Sequence, residues 1–317
     1  MTEQAKGIGR VTAALVAIAA MLPYLTLKVL WLTGSSIGVT DPGLMRESTM
    51  VGLNAMTFGM DAVALVLALA FSMRWGLRLP AWLVLLPLWV GTGLLVVVAV
   101  TAPLALLVGG PAVFAGGGPI QPWVYMVVYG GFVGQAAGLT TAFVLYARAR
   151  WPRVLTRPFT GPRRSFHDVV AWGALAVAAP VGGTWLVWAV GAPSTQAIQG
   201  VLRGLLAIGG AAALVALVRR RGGARTFAVA WLGSGSLFAN GLYSTIVRLV
   251  GGPLAGGPTG AEDLVSLFGM LTGLVMGMCG AFLLAERSGV GDVQPAQEPL
   301  EGEDRERDRQ PADHRDG

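Results

Sequence analysis

The chain has 317 residues, of which 54% are hydrophobic and 13% charged, with a mean hydropathy of +0.64 and a formal net charge of +6. Soluble domains carry about 25% charged residues, so this composition excludes a soluble globular enzyme or binding domain and points to a protein whose solvent is the bilayer. The net charge is not a nucleic-acid signal, because the basic residues border apolar runs, as topogenic charges do.

Eight apolar runs are long enough to cross a core of about 30 Å, which takes about 20 helical residues each. They fall at 11–33, 49–72, 81–108, 122–146, 168–190, 199–218, 226–250 and 263–286. Backbone polar groups in hydrocarbon must be satisfied within the segment, and no alternating pattern suggests a barrel, so each run is expected to be a helix. Residues 1–10 precede the first. That run is not a cleaved signal, since apolar sequence continues past its only Ala-x-Ala, at Ala17 to Ala19. Pro23 is expected to bend it, and Lys28 shares a face with Tyr24 and Trp31 in its outer third. The stretch Leu22-Pro23-Tyr24-Leu25-Thr26-Leu27-Lys28-Val29-Leu30-Trp31-Leu32-Thr33-Gly34 resembles the first span of uncharacterised multi-pass membrane proteins of high-GC actinobacteria. That resemblance implies topology and source, and no activity.

The second run holds Asp61 at its centre, the costliest depth for a carboxylate, with Asn54 and Thr57 on the same face. The fourth and eighth carry Gly130, Gly134, Gly138 and Gly269, Gly273, Gly277, spacings that groove one face of a helix for close packing. Between the fourth and fifth runs, 148–167 is a basic linker with six arginines, and Asp168 is placed to cap the fifth helix. Arg203 is expected at the outer end of the sixth run. In the seventh, Ser236, Asn240, Ser244 and Arg248 recur every four residues and rise to the outer surface. Residues 288–317 form an acidic tail with the composition of a disordered segment.

Part of the chain is written twice. Residues 89–111 and 231–253 share nine identities in 23 positions at an offset of 142, from Trp89 and Trp231 to Pro111 and Pro253. The glycine-grooved runs repeat at an offset of 139, and Pro23, Trp31 and Gly34 return as Pro180, Trp188 and Gly191 at 157. The expected fold is therefore all-α: a polytopic membrane protein of eight transmembrane helices, built as two parallel four-helix repeats over 11–147 and 168–287. An even number of spans per repeat puts both copies in the same orientation.

Fifteen basic residues fall on the side of the N-terminus and one, Arg46, on the other, which places both termini in the cytoplasm. Only two of the 23 basic residues are lysine, as in a high-GC bacterial genome, so the expected location is a bacterial plasma membrane.

The intramembrane polar residues are the only site candidates: Tyr24, Lys28, Asn54, Thr57, Asp61, Arg203, Asn240, Ser244 and Arg248. They suggest a polar cavity open to the outside, floored by Asp61 and rimmed by Lys28, Arg203 and Arg248, with Asp61 and Lys28 interacting. Snorkelling of the long basic side chains and helix–helix glue by Asn and Ser are the plainer readings of most of them. No histidine lies in a span, Cys279 is the only cysteine, and no phosphate-binding loop occurs; no catalytic residue, cofactor or metal ligand is assigned. Gly233-Ser234-Gly235-Ser236 has a copy at Gly91-Thr92-Gly93 and reads as packing rather than as a nucleophile.

The leading expectation is a small secondary permease or solute-binding membrane protein, taking a small molecule or an ion. The alternative is an accessory or sensor protein that holds a cytoplasmic partner through the linker or the tail, and the third is a lipid-modifying enzyme. The bilayer is the expected surrounding, nucleic acid is not a partner, and the glycine faces of helices 4 and 8 are candidates for a homodimer contact.

Overall fold

The computed structural model describes residues 3–114, 118–152, 165–251 and 260–289. Most of the linker, 153–164, and all of the tail from 290 lie outside them, and so do the expectations attached to those segments. Among the described residues eight long helices carry the fold: α1 (Glu3–Leu32), α2 (Ser48–Ser72), α3 (Ala81–Gly109), α4 (Pro122–Arg150), α5 (Ser165–Ala189), α6 (Ser194–Val218), α7 (Ala224–Val250) and α8 (Gly260–Gly289). Three short 3-10 turns interrupt the connections, and among the described residues there is no strand. The protein is a polytopic all-α protein.

Seven of the helices are long and apolar enough to cross a membrane. The exception, α7, has the length at 27 residues but carries Ser234, Ser236, Asn240, Ser244 and Arg248. It packs against α3, α6 and α8, so much of its polar surface meets protein rather than lipid. Large apolar side chains such as Leu15, Leu22, Val66, Leu86, Val187 and Leu249 are exposed on the outside of the bundle, as a lipid-facing belt requires.

In the first half α1 lies against α2 and α4, and α3 against α4; in the second α5 lies against α6 and α8, and α7 against α8. The halves meet where α3 packs on α7, flanked by contacts of α3 with α6 and of α2 with α7. Two matching tryptophan hydrogen bonds cross that seam, beside a third from Asn240 to the Gly93 carbonyl. The Trp89 indole donates to the Ser234 hydroxyl at 3.0 Å, and the Trp231 indole donates to the Thr92 hydroxyl at 3.0 Å. The two pairs stand at positions 142 residues apart in the two segments of matching sequence, so each segment grips the other by the same bond. Ser234 also donates to the Trp231 carbonyl, which occupies its hydroxyl in packing.

The grooved faces of α4 and α8 find different neighbours. On α4, Gly131, Gly134 and Gly138 press on Ala20 and Ala17 of α1; on α8, Gly273 presses on the α7 backbone and Gly277 on the Trp89 ring. Both grooves are thus filled within the chain, and only the α8 groove reaches across to the other half.

The helix ends correct several expectations. The fifth helix starts at Ser165, so Asp168 sits in its first turn rather than capping it; a carboxylate there still favours the helix dipole. The sixth starts at Ser194 instead of 199, so Arg203 lies nine residues in, about 14 Å along the axis at 1.5 Å per residue. The polar residues 194–198 thus continue the helix beyond Arg203 instead of forming a loop.

The face opposite the N-terminus differs between the halves. The connection 33–47 folds back over the first half: Val39 bridges Ile120, Thr40 N–H donates to the Pro119 carbonyl, and the Trp31 indole donates to the Ile37 carbonyl. Leu44 and Met45 are buried there with Leu27, Trp31, Leu53 and Val124. Gly38, at φ +74, sits so close to Val124 and Trp123 that a side chain would collide. The corresponding connection in the second half, 190–193, forms no such plug.

Candidate functional site

Positions 54, 57 and 61 share a face because three or four residues make one helical turn. On α2 that face turns inward toward α1 and α4. Lys28 reaches it from α1 and donates to Asn54 Oδ1 at 2.7 Å. Asn54 in turn donates through Nδ2 to Met45 Sδ at 3.4 Å, so the plug closes over the pair. The Lys28 ammonium also lies 4.7 Å from the Tyr24 ring centroid and 5.4 Å from that of Trp31, an aromatic cradle that suits a cation. Lys28, Asn54 and Asp61 are 5%, 4% and 6% exposed.

Asp61 faces into the protein, not toward lipid. The buried Gln135 amide of α4 faces its carboxylate, and Lys28 and Tyr24 lie within its electrostatic range. Its Oδ2 is buried without a hydrogen-bond partner. Among the described residues no ion pair joins Asp61 to Lys28: the ammonium is held by a neutral amide and the carboxylate is faced by another. Thr57 spends its hydroxyl on the Leu53 and Asn54 carbonyls of its own helix and stands beside the Tyr24 hydroxyl.

The expected cavity floored by Asp61 does not form as one space. The first-half residues are closed in under the plug. A separate, partly enclosed cavity of about 30 Å³ lies in the second half, lined by Trp185, Arg203, Ser236, Asn240, Ser244 and Ser266 among others. Arg203 stacks on Trp185 with its guanidinium carbon 4.9 Å from the ring centroid. Asn240 donates to the Ser236 carbonyl at 2.9 Å and to the Gly93 carbonyl at 3.3 Å, so it ties the cavity wall to the seam. Arg248 is not on the rim. It is clamped by two carboxylates at the start of α8, at 2.8 Å to Glu262 and 2.7 Å to Asp263.

The structure therefore brings Tyr24, Lys28, Asn54, Thr57 and Asp61 into one cluster and Arg203, Asn240 and Ser244 into another. Gln135 is the member that sequence reasoning missed. Its signal was an amide inside a glycine-grooved span, hidden by the packing pattern around it. Among the described residues no group of histidine, cysteine or carboxylate side chains could hold a metal ion. No family model, curated protein or solved structure matches the chain.

Proposed function

We propose that the chain is a small secondary permease or solute-binding protein of a bacterial plasma membrane, with Asp61 linking solute movement to a proton or a cation. One observation carries the reading: Asp61 and Lys28 are both buried at membrane depth, within range of each other, yet each is held by a neutral amide. A pair kept only for structure gains most from direct contact, because an unpaired buried charge is costly. A pair held apart leaves an acceptor oxygen, Oδ2, for a transient partner. The plug would then be the closed state of the path on that side.

The parallel four-plus-four repeat belongs to the same reading. It is supported by the reciprocal Trp89–Ser234 and Trp231–Thr92 bonds and by the matching helix contacts in each half. Gly34 at φ +96 and Gly191 at φ +79, equivalent positions, end α1 and α5 in the left-handed region. Cytoplasmic termini follow from the basic residues crowding one face.

The test is a screen in proteoliposomes for solute-driven proton or sodium movement, read with a trapped dye. The parent should respond to at least one solute class, and Asp61→Asn should melt like the parent and abolish the response. A purely structural pair gives another pattern: Asp61→Asn and Lys28→Met each destabilise and the double variant recovers. That pattern would overturn the coupling role.

A further inference from the structure

The second half holds a half-buried cation, Arg203, whose buried Nε lacks the acceptor its first-half counterpart has. In the first half an aromatic face of α1 carries Lys28, Asn54 of α2 accepts from it, and the 33–47 plug covers both. In the second half Trp185 occupies the position 157 residues after Lys28. The cation comes instead from α6, where Arg203 stacks on that ring. The connection 190–193 is too short to cover it as 33–47 covers Lys28. What stands beside it is the cavity of about 30 Å³.

The wall chemistry is one-sided. Arg203 Nε is buried with no hydrogen-bond partner in the protein. Ser236, Ser244 and Ser266 bring hydroxyls that can donate, and Val181, Leu237 and Val265 make the rest of the wall apolar. Among the described residues the carboxylate in electrostatic range of Arg203 is Glu262, and it is already held by Arg248 at 2.8 Å. Asn240 spends its amide N–H groups on Ser236 and Gly93, so it shapes the wall rather than donating into it. A planar guanidinium with nearby hydroxyls matches a carboxylate, which it can bind through two parallel bonds. A volume near that of one or two waters limits what enters to a small group.

We propose that this cavity binds the carboxylate group of a small solute, with Arg203 as its charge partner and the hydroxyls of Ser236 and Ser244 as further donors. The site stands apart from the Asp61 cluster and does not depend on the transport reading, since binding can be measured on a protein that moves nothing.

The experiment uses the purified full chain in a zwitterionic detergent and follows thermal unfolding in formate, acetate and pivalate, with chloride at matched ionic strength as control. Formate and acetate should give a saturable rise in melting temperature, pivalate little, and chloride none beyond ionic strength. Arg203→Gln should weaken the apparent affinity by about thirtyfold or more, the loss expected when one partner of a buried charge pair is removed. Ser244→Leu fills the cavity and leaves Arg203 in place; it should abolish the carboxylate effect, and it decides the matter if Arg203→Gln fails to fold. An equal response to chloride, or a carboxylate response that survives in Ser244→Leu, overturns the proposal. So does protection by phosphatidylglycerol in nanodiscs without any effect of formate or acetate, which would assign the site to a lipid headgroup.

Discussion

Gly93 of α3 and Gly235 of α7 meet backbone to backbone: a Cβ built on Gly93 would lie 2.2 Å from the carbonyl carbon of Gly235. They stand 142 residues apart at matching positions of the two similar segments, and each directly follows the acceptor of one of the tryptophan bonds that cross the seam. Gly93→Val and Gly235→Val should each destabilise by about 3 kcal/mol or more, at or beyond the usual range for overpacking, because rigid backbone is what the side chain meets. Gly91→Val, with nothing within 4 Å, is the control and should melt near the parent. Equal melting of Gly91→Val and Gly93→Val would mean that the helices do not approach this closely.

The two hydrogen bonds make a matched pair of thermodynamic cycles. Trp89→Phe with Ser234→Ala, and Trp231→Phe with Thr92→Ala, should each show a coupling energy of about 1 kcal/mol in denaturation. A coupling in one cycle and none in the other would break the equivalence of the two contacts.

At the glycine grooves the halves should respond alike but unequally. Gly134→Leu meets the Ala20 Cβ at 2.8 Å, whereas Gly273→Leu meets the Phe238 backbone nitrogen at 2.4 Å. Both should impair folding, Gly273→Leu more, and Gly130→Leu, which has open space, should not. Parent-like accumulation and melting of both Gly134→Leu and Gly273→Leu would refute the packing role.

Asn54 should matter through Lys28. Asn54→Leu leaves a buried ammonium without its acceptor and should cost about 1.5–3 kcal/mol, the range for hydrogen bonds to charged groups. Adding Lys28→Met should recover much of that loss. If Asn54→Leu alone is neutral, the 2.7 Å bond does not hold the ammonium in solution.

Reporter fusions test the orientation. Fusions at Gly117 and Gly256 should read as external, and at Pro158 and Gly223 as cytoplasmic. An external signal from the linker at 158 would invert the map, since fifteen of the topogenic charges lie on that side.

The helices were readable because lipid solvation writes itself into local composition, and the α2 face of Asn54, Thr57 and Asp61 was readable because helical periodicity is local too. What escaped was contact at a distance. Nothing near 38–45 in the sequence announces that Gly38 will lie on Val124 or that Met45 will cap Asn54. Arg248 looked like a rim charge on its own helix; its partners Glu262 and Asp263 begin the next one. The start of α6 was placed too late because 194–198 is polar enough to resemble a loop, yet it forms the first turn of the helix. The α4 and α8 grooves have the same glycine spacing, but what fills each depends on which helix the fold sets beside it.

The Arg150 side chain donates to the Leu79 carbonyl, to the Gly76 carbonyl and to the Tyr146 hydroxyl, while Tyr146 itself donates to the Gly76 carbonyl at 2.7 Å. Gly76 is packed so tightly on the Ala70 carbonyl that no side chain fits there. The last turn of α4 is therefore riveted to the bend joining α2 and α3, on the face where the basic residues gather. Three helices share one anchor at that level, whereas at their far ends α2 and α4 meet through the folded 33–47 segment and α3 and α4 through the turn Gly110–Phe114. Any opening of the first half would swing those far ends apart about the anchor, with displacement growing along the helices, and the Lys28–Asn54 bond under the plug would be among the first to break.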